Sequence, residues 1–453
     1  MNLSGKRVLV LGLGDTGLSM VRWLTRHGAR VRAADSRDNP PHAARIRAEW
    51  PQVEIVTGDF SDACFHDIDL IAISPGVPLA SVSKQDVPVV GDVELFAQAL
   101  APRTAKVIAI TGANGKTTVT ALCGAMCQQA GVKTVVAGNI GLPVLDALSA
   151  IENGAAMPDV FVLELSSFQL ETTASLNADA ATVLNVTQDH LDRYSSMKDY
   201  AAAKARIFFG NGTQVLNRED AYSRAMACPG RKTATFGLDA PANDAEWGVA
   251  QTEGQEWLVR GQEKLLPAGD IPLAGRHNAA NALAALALCS AIDLPLAPLL
   301  TALREFKGLP HRVEKVAEIG GVIFYDDSKG TNVGATVAAL TGMREPVVLI
   351  AGGDGKGQDF SPLNTACAQH ARAVVLIGRD APQIASALDG CGVPLLHAHD
   401  MVEAVTLAFN AAYLGDAVLL SPACASFDMF RNYEHRAQVF IAAVQKLKQE
   451  RAA

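Results

Sequence analysis

T-G-A-N-G-K-T-T at residues 111 to 118 follows the apolar run Val107-Ile108-Ala109-Ile110 and opens a helix-forming segment. A strand, a glycine turn and a helix start, in that order, point backbone N–H groups at an anion. Gly112 and Gly115 permit the tight turn, Lys116 supplies a cation, and the Thr117 hydroxyl can ligate Mg²⁺. The full pattern G-x-x-x-x-G-K-[ST] wants a glycine where Ile110 stands, so only the shorter G-x-x-G-K-T is present. A plain glycine turn is the alternative, and the strand before it and the Lys-Thr after it weigh against that. The expectation is a nucleotide-phosphate loop in an α/β domain.

Upstream, short apolar strands at Val8–Leu11, Arg30–Ala33 and Leu70–Ile73 alternate with a helix expected over Thr16–His27, a βαβ rhythm. Between the first strand and the helix stands G-L-G-D-T-G, whose Gly12, Gly14 and Gly17 satisfy G-x-G-x-x-G. Asp35 closes the second strand where a ribose-binding carboxylate belongs. The same loop serves any diphosphate, so a NAD-dependent oxidoreductase and a different nucleotide-diphosphate binder both remain open, as does a purely structural turn.

Downstream, strands are expected at Thr134–Ala137, Val160–Leu165 and Ala181–Asn185, then a β-rich stretch from Gln214 to Leu273 and a helix over Asn278–Ala291. Gly308 and Pro310 mark a linker. A third block has strands at Val322–Tyr325, Val347–Ile350, Ala373–Ile377 and Ala417–Leu420, each followed by polar loop residues. Open parallel sheets bind ligands at the carboxyl ends of their strands. On that rule Glu164, ending D-V-F-V-L-E, and His190, in V-T-Q-D-H-L-D-R-Y, make a cation site if their strands are neighbours.

With 453 residues, 49% hydrophobic and 19% charged, the chain is expected to form about three soluble domains. A net charge of −8 without a Lys/Arg run gives no footprint for nucleic acid or a membrane surface. The first residues read as a buried strand, so no export signal is expected. Prolines and polar residues break the apolar stretch Ala279–Leu303, which therefore reads as core helices. The eight cysteines include Cys123 and Cys127 one helical turn apart but form no zinc pattern, so buried thiols are expected.

Five motifs carry a resemblance: T-G-A-N-G-K-T-T, E-L-S-S-F-Q-L at 164–170, N-V-T-Q-D-H-L-D-R-Y at 185–194, A-G-R-H-N-A-A-N-A-L-A-A at 274–285 and G-L-P-H-R at 308–312. In that order, over most of the chain, they resemble the Mur ligases, ATP-dependent amide-forming enzymes of three domains. The resemblance implies a Rossmann-like N-terminal domain over 1–97, a central P-loop-type ATP-binding α/β domain over 98–308 and a C-terminal Rossmann-like α/β domain over 309–453. D-D-S-K-G-T-N at 326–332, G-G-D-G-K-G-Q-D-F at 352–360 and S-P-A-C-A-S-F-D at 421–428 resemble the branch that adds D-glutamate to UDP-N-acetylmuramoyl-L-alanine. Another amide ligase of the family, with a different amino acid or acceptor, stays open.

By that resemblance the UDP-linked substrate would meet Gly14, Asp15, Thr16, Asp35, Ser36, Arg37, Ser74 and Gly76, with Asn139 orienting its carboxylate. ATP would meet Gly112, Ala113, Asn114, Gly115, Lys116, Thr117, Thr118 and Val119, with Asn278, Asn281, Arg312 and Asp327 at the adenine and ribose. D-Glutamate would lie among Lys329, Thr331, Lys356, Ser426, Phe427 and Tyr433. Lys116, Glu164, His190, Lys204 and Asn139 would be catalytic. Two Mg²⁺ ions are implied on Thr117, Glu164, His190 and a CO₂-derived carbamate of Lys204. The implied protein is a cytoplasmic monomer acting on small molecules, with no nucleic-acid partner and no membrane insertion.

Overall fold

A computed structural model describes residues 2–82, 85–101, 104–189, 193–273 and 275–452. The chain forms two compact units, one of Met1–Asn185, Lys198–Phe236 and Ala284–Ala302, the other of Val186–Met197, Gly237–Leu283 and Leu303–Ala453. Its strands belong to three sheets, and helices alternate with the parallel strands.

In the first unit β1 (Arg7–Leu11), β2 (Arg30–Asp35), β3 (Glu54–Thr57), β4 (Leu70–Ile73) and β5 (Val89–Val90) run parallel in the order β3-β2-β1-β4-β5. The order reverses between β1 and β4, which opens a ligand crevice at their carboxyl ends. Central strands covered on both faces need unbroken apolar runs, and V-L-V-L in β1 and L-I-A-I in β4 supply them. A second set, β6 (Lys106–Thr111), β7 (Thr134–Gly138), β8 (Val160–Glu164), β9 (Ala180–Val183), β10 (Thr213–Asn217) and β11 (Thr233–Phe236), is also parallel, ordered β11-β10-β9-β6-β8-β7. Here the switch falls at β6, the strand that leads into the phosphate loop.

In the second unit β12 (Glu246–Thr252), β13 (Gln255–Arg260) and β14 (Glu263–Pro267) pair antiparallel. The third sheet is ordered β15 (Glu314–Ile319), β16 (Val322–Asp326), β20 (Ala417–Leu420), β17 (Val347–Gly352), β18 (Ala371–Ile377), β19 (Leu395–His397). All its pairs are parallel except the edge hairpin β15–β16. Every strand expected from apolar runs is present, and the expected helices span Asp15–Arg26 and Arg276–Ala291. The strands not anticipated are chiefly edge strands such as β3, β15 and β19. With one flank unpaired they carry half-exposed, mixed residues and give no apolar run.

The stretch Ala279–Leu303 is helical, in Arg276–Ala291 and Leu296–Glu305. No helix among the described residues is long and apolar enough to cross a membrane. All eight cysteines are free thiols; six are buried, whereas Cys228 is exposed and Cys391 intermediate, so the expectation of buried thiols fails at those two.

Gly17 fixes how the helix Asp15–Arg26 seats on β1. A Cβ there would lie 1.8 Å from the Gly12 carbonyl oxygen, a backbone atom that cannot yield, whereas one on Gly14 would meet nothing within 4 Å. Gly17→Ala is therefore expected to lower unfolding stability by more than about 2 kcal/mol, and Gly14→Ala to change it by less than about 0.5 kcal/mol. Urea denaturation of both variants checks this, and equal losses would refute the packing argument.

Candidate active site

A cleft of about 560 Å³ lies in the first unit, lined by the loops after β1, β2, β4 and β7 and by Gln169. It gathers every residue expected at the UDP-linked substrate: Gly14, Asp15, Thr16, Asp35, Ser36, Arg37, Ser74, Gly76 and Asn139. Gly12 (φ +86°) turns the chain out of β1, and the Ser74 hydroxyl donates to its carbonyl at 2.9 Å, joining the two loops at the switch point. Asp15 stands in the first helical turn and meets His42 Nε2 at 2.7 Å.

Asp35 is buried, and its oxygens are engaged within the chain. Oδ2 accepts from the Leu13 N–H at 2.7 Å and Oδ1 from the Arg37 N–H at 2.9 Å. The Arg37 guanidinium grips both oxygens, Nε to Oδ1 at 2.8 Å and Nη2 to Oδ2 at 2.6 Å. Burial raises the carboxyl, but the Arg37 fork and the Leu13 N–H outweigh it and hold the group at about 2. Asp35 thus braces the glycine loop and aims Arg37, which lines the cleft.

The phosphate loop leaves β6 and enters the helix Lys116–Gln129 through Gly115, whose φ of +82° favours glycine. Gly112 is needed for closeness, since a Cβ there would sit 3.0 Å from Leu184. Asn185 fastens the loop: its Oδ1 accepts from the Asn114 N–H at 2.8 Å and its Nδ2 donates to the Asn114 carbonyl at 3.1 Å. Lys116 Nζ donates to the Gly112 and Ala113 carbonyls, both at 2.9 Å. Lys204 Nζ, 1% exposed, donates to the same Gly112 carbonyl at 2.9 Å and lies 4.4 Å from the Tyr200 ring centroid. Two amines far apart in sequence therefore converge on one oxygen.

Glu164 ends β8 directly beside Ile110 of β6 and Gly138 of β7. Its Oε1 accepts from Asn139 Nδ2 at 2.8 Å, while Oε2 is buried without a hydrogen-bond partner. A buried carboxylate oxygen left without a donor, one strand from the phosphate loop that leads into Thr117, suits a divalent cation. The condition that the Glu164 strand and the strand before His190 be neighbours is not met: β9 pairs with β6, not with β8, because the phosphate strand is inserted between them. His190 itself lies outside the described residues.

In the second unit, β16, β20 and β17 are adjacent, and the loops that follow them carry Asp327, Lys329, Thr331, Lys356, Ser426 and Phe427. Asp327 Oδ2 accepts from the Ser421 hydroxyl at 2.7 Å, joining the first two loops. Asp354 and Ala425 exchange backbone hydrogen bonds at 2.9 and 2.8 Å, which places the Lys356 turn (φ +52°) beside Ser426. Lys329 Nζ lies 3.9 Å from the Tyr433 ring centroid. Thr331 follows in the same loop, Ser426 is buried, and Phe427 is 70% exposed. Burial pushes the Asp327 carboxyl up to about 7 against the Ser421 hydrogen bond and the Arg312 charge. Asn281 Nδ2 donates to Asn278 Oδ1 at 3.0 Å in the helix Arg276–Ala291.

Sequence reading missed Gln169 and Arg436. Gln169 forms a capping box with Ser166 and lines the cleft, and the S-x-x-Q spacing inside E-L-S-S-F-Q-L was its signal. Arg436 is fully buried and donates to the Ser328 hydroxyl at 3.0 Å, the Ser328 carbonyl at 2.8 Å and the Cys424 carbonyl at 3.0 Å. Its signal was a charge four residues before Phe440 on the apolar stripe of the last helix.

A phosphate loop on one α/β sheet and a glycine-loop cleft at another fit an ATP-using ligase, and the chain belongs to the Mur ligase family. The Mur ligase middle domain matches residues 110–289, the MurD-like N-terminal domain residues 6–91, and the Mur ligase glutamate ligase domain residues 311–424. The chain is 61% identical to the UDP-N-acetylmuramoylalanine–D-glutamate ligase of Methylobacillus flagellatus, over 99% of each chain. It is 58% identical to the enzyme of that name from Nitrosospira multiformis, over 100% of this chain and 98% of the other. Among solved structures it shares its fold with the MurF ligase of Thermotoga maritima in complex with ADP (TM-score 0.62, 17% identity, 98% and 96% covered). The MurC ligase of the same organism is similar too (TM-score 0.59, 20% identity, 98% and 100% covered).

The Asp35 environment yields a pH prediction. A carboxyl held near 2, below its ordinary 3.8, adds stability that is complete above about pH 4 and is lost as pH falls through 2. Asp35→Asn should cost roughly 2 kcal/mol at pH 7, and the difference from the parent protein should shrink towards pH 2. Urea melts across that range check it; a pH-independent difference would show that packing rather than charge is responsible.

Proposed function

We propose that the chain joins D-glutamate to UDP-N-acetylmuramoyl-L-alanine at the expense of ATP, releasing ADP and phosphate, as a cytoplasmic monomer in peptidoglycan precursor synthesis. The observation that carries this reading is the double engagement of Asn139. It lines the cleft of the glycine loop and also hydrogen-bonds Glu164 at 2.8 Å, one strand from the phosphate loop. A substrate anchored by its diphosphate near Gly14, Thr16 and Arg37 would extend past Asn139 and present its carboxylate to the γ-phosphate. A nicotinamide enzyme has no use for that second half, so the family assignment and the Asn139 bridge both speak against the oxidoreductase alternative.

A carboxylate is a poor acyl donor, so its oxygen first attacks the γ-phosphorus of ATP and ADP leaves. The D-glutamate amine then attacks the acyl carbon, and the tetrahedral intermediate expels phosphate as the amide forms. Lys116 would leave its loop carbonyls to meet phosphate charge, and the loop N–H groups from Gly112 to Val119 would hold the ATP phosphates. Asn278, Asn281, Arg312 and Asp327 would take the adenine and ribose. Lys329, Thr331, Lys356, Ser426, Phe427 and Tyr433 would hold D-glutamate, whose two carboxylates require cations and hydroxyls. In this reading the functional domains are 1–97, 98–308 and 309–453.

Thr117, Glu164, His190 and carbamylated Lys204 would hold Mg²⁺, which when bound neutralises phosphate charge. The buried oxygen of Glu164 is the observation that fits it. Lys204 and Lys116 sharing the Gly112 carbonyl creates a like-charge conflict if both are ammonium ions. Loss of a proton from Lys204 followed by addition of its amine to CO₂ forms a carbamate, releases a second proton and resolves that conflict with an anionic oxygen ligand.

Two experiments test the assignment. Labelled bicarbonate should give a protein carbamate ¹³C signal that is absent from Lys204→Arg, with most ADP release lost as well; no signal in the parent protein would refute the modification. Lys356→Ala should raise the D-glutamate KM at least about tenfold while the ATP KM changes little, because a carboxylate loses its charged partner. Equal changes for all three substrates would move Lys356 out of the amino-acid site.

A further inference from the structure

We infer that an ionic latch between the helices Asp15–Arg26 and Val144–Glu152 sets the span of the substrate cleft and thereby the affinity for the UDP-linked acceptor. Arg22 pairs with Asp146. Arg26 donates through Nη1 to Asn153 Oδ1 at 2.5 Å and through Nη2 to the Glu152 carbonyl at 3.0 Å, with Nε 3.8 Å from Glu152 Oε2. His27 Nε2 stands 3.4 Å from Glu152 Oε1. The side chains of Arg22 and Asp146 are 29% and 20% exposed, so they are screened less than surface pairs are.

The geometry of the pairs shows what they do. Later residues of the first helix pair with later residues of the second, so the two helices run parallel and both begin at the same end. That end is the cleft. Gly14, Asp15 and Thr16 stand at the start of the first helix; Gly138 and Asn139 stand in the segment that leads into the second. The diphosphate wall and the carboxylate-orienting wall are thus mounted on two rods, clamped by charges over the second half of the first. Parallel helix dipoles repel weakly, and these pairs offset that repulsion. Two of the charges also suit their helix ends: Asp146 lies in a first turn and Arg26 in a last turn. Glu152 lies in a last turn, where Arg26 offsets the dipole.

These are positioning residues and touch no substrate. A ligand that occupies only the glycine-loop half is indifferent to the span, whereas one that reaches from the diphosphate site to Asn139 senses it. The inference rests on the cleft reading given above, and UDP alone separates the two. In Asp146→Ala and Arg22→Ala the acceptor KM should rise about fivefold, with kcat, the ATP KM, the D-glutamate KM and calorimetric UDP affinity within about twofold of the parent. The exchange Arg22→Asp with Asp146→Arg should recover most of the loss, which guards against a mere folding defect. Raising NaCl from about 0.05 to 0.5 M should raise the parent's acceptor KM more than that of Asp146→Ala. An unchanged acceptor KM in both single variants, or a parallel loss of UDP affinity, would overturn the latch. Failure of the parent protein to bind UDP would instead overturn the cleft reading and the latch with it.

Discussion

Glu164 places a carboxylate, 1% exposed, at the carboxyl end of the strand between the phosphate strand and β7, and a charge so placed costs several kcal/mol unless its surroundings are built around it. Much of the first unit can be read as that construction. Gly138 must lack a side chain, since a Cβ there would lie 2.2 Å from the Glu164 carbonyl oxygen, and its φ of +116° excludes most other residues. The tight pass lets Asn139 bond twice, its N–H to the Glu164 carbonyl and its amide to the carboxylate, both at 2.8 Å. Strand register then puts the phosphate loop next door. The glycine-loop cleft and the phosphate loop cannot drift apart without breaking a buried polar network.

The second unit applies the same constraint with the opposite sign. Arg436 is fully buried, and its hydrogen bonds go to a hydroxyl and two carbonyls of the loops after β16 and β20. Burial lowers its guanidinium to about 10, so it stays charged at neutral pH. A fixed positive charge beneath loops that carry Lys329 and Ser426 favours anions there and draws the two loops into one surface. The buried Asp326 and Asp327 lie close enough to temper it, and burial raises both of their carboxyls.

What could be read from sequence divides along physical lines. Val107–Ile110, Val347–Ile350 and Ala417–Leu420 were legible because a strand covered on both faces must be apolar throughout. Edge strands such as β3 obey no such rule and stayed hidden. The phosphate loop was legible because glycine and lysine at that spacing have few other uses. Strand order was not: nothing local in A-T-V-L-N reveals that β9 pairs with β6, since pairing is a long-range outcome. The cleft residues were assembled largely by resemblance, because Ser74, Arg37 and Asn139 come from three loops that only the sheets bring together. The cation cluster His311, Glu314 and Asp326 also escaped, and His311 Nδ1 to Asp326 Oδ2 at 2.7 Å accounts for it as an internal pair.

The glycine loop shows why fold alone could not settle the function. G-x-G-x-x-G with an acid closing the next strand fits a dinucleotide site, and here the acid spends its oxygens on Leu13 and Arg37. The consequence is the loss of a bare negative charge at the cleft wall. A carboxylate open to the cleft would attract hydroxyls and repel phosphate, whereas this one is covered by an arginine whose side chain is 53% exposed. The same backbone turn therefore presents an ion pair with its guanidinium outermost in place of a bare carboxylate. A diphosphate bound at this turn would depend on that two-residue arrangement more than on the glycines that make the turn possible.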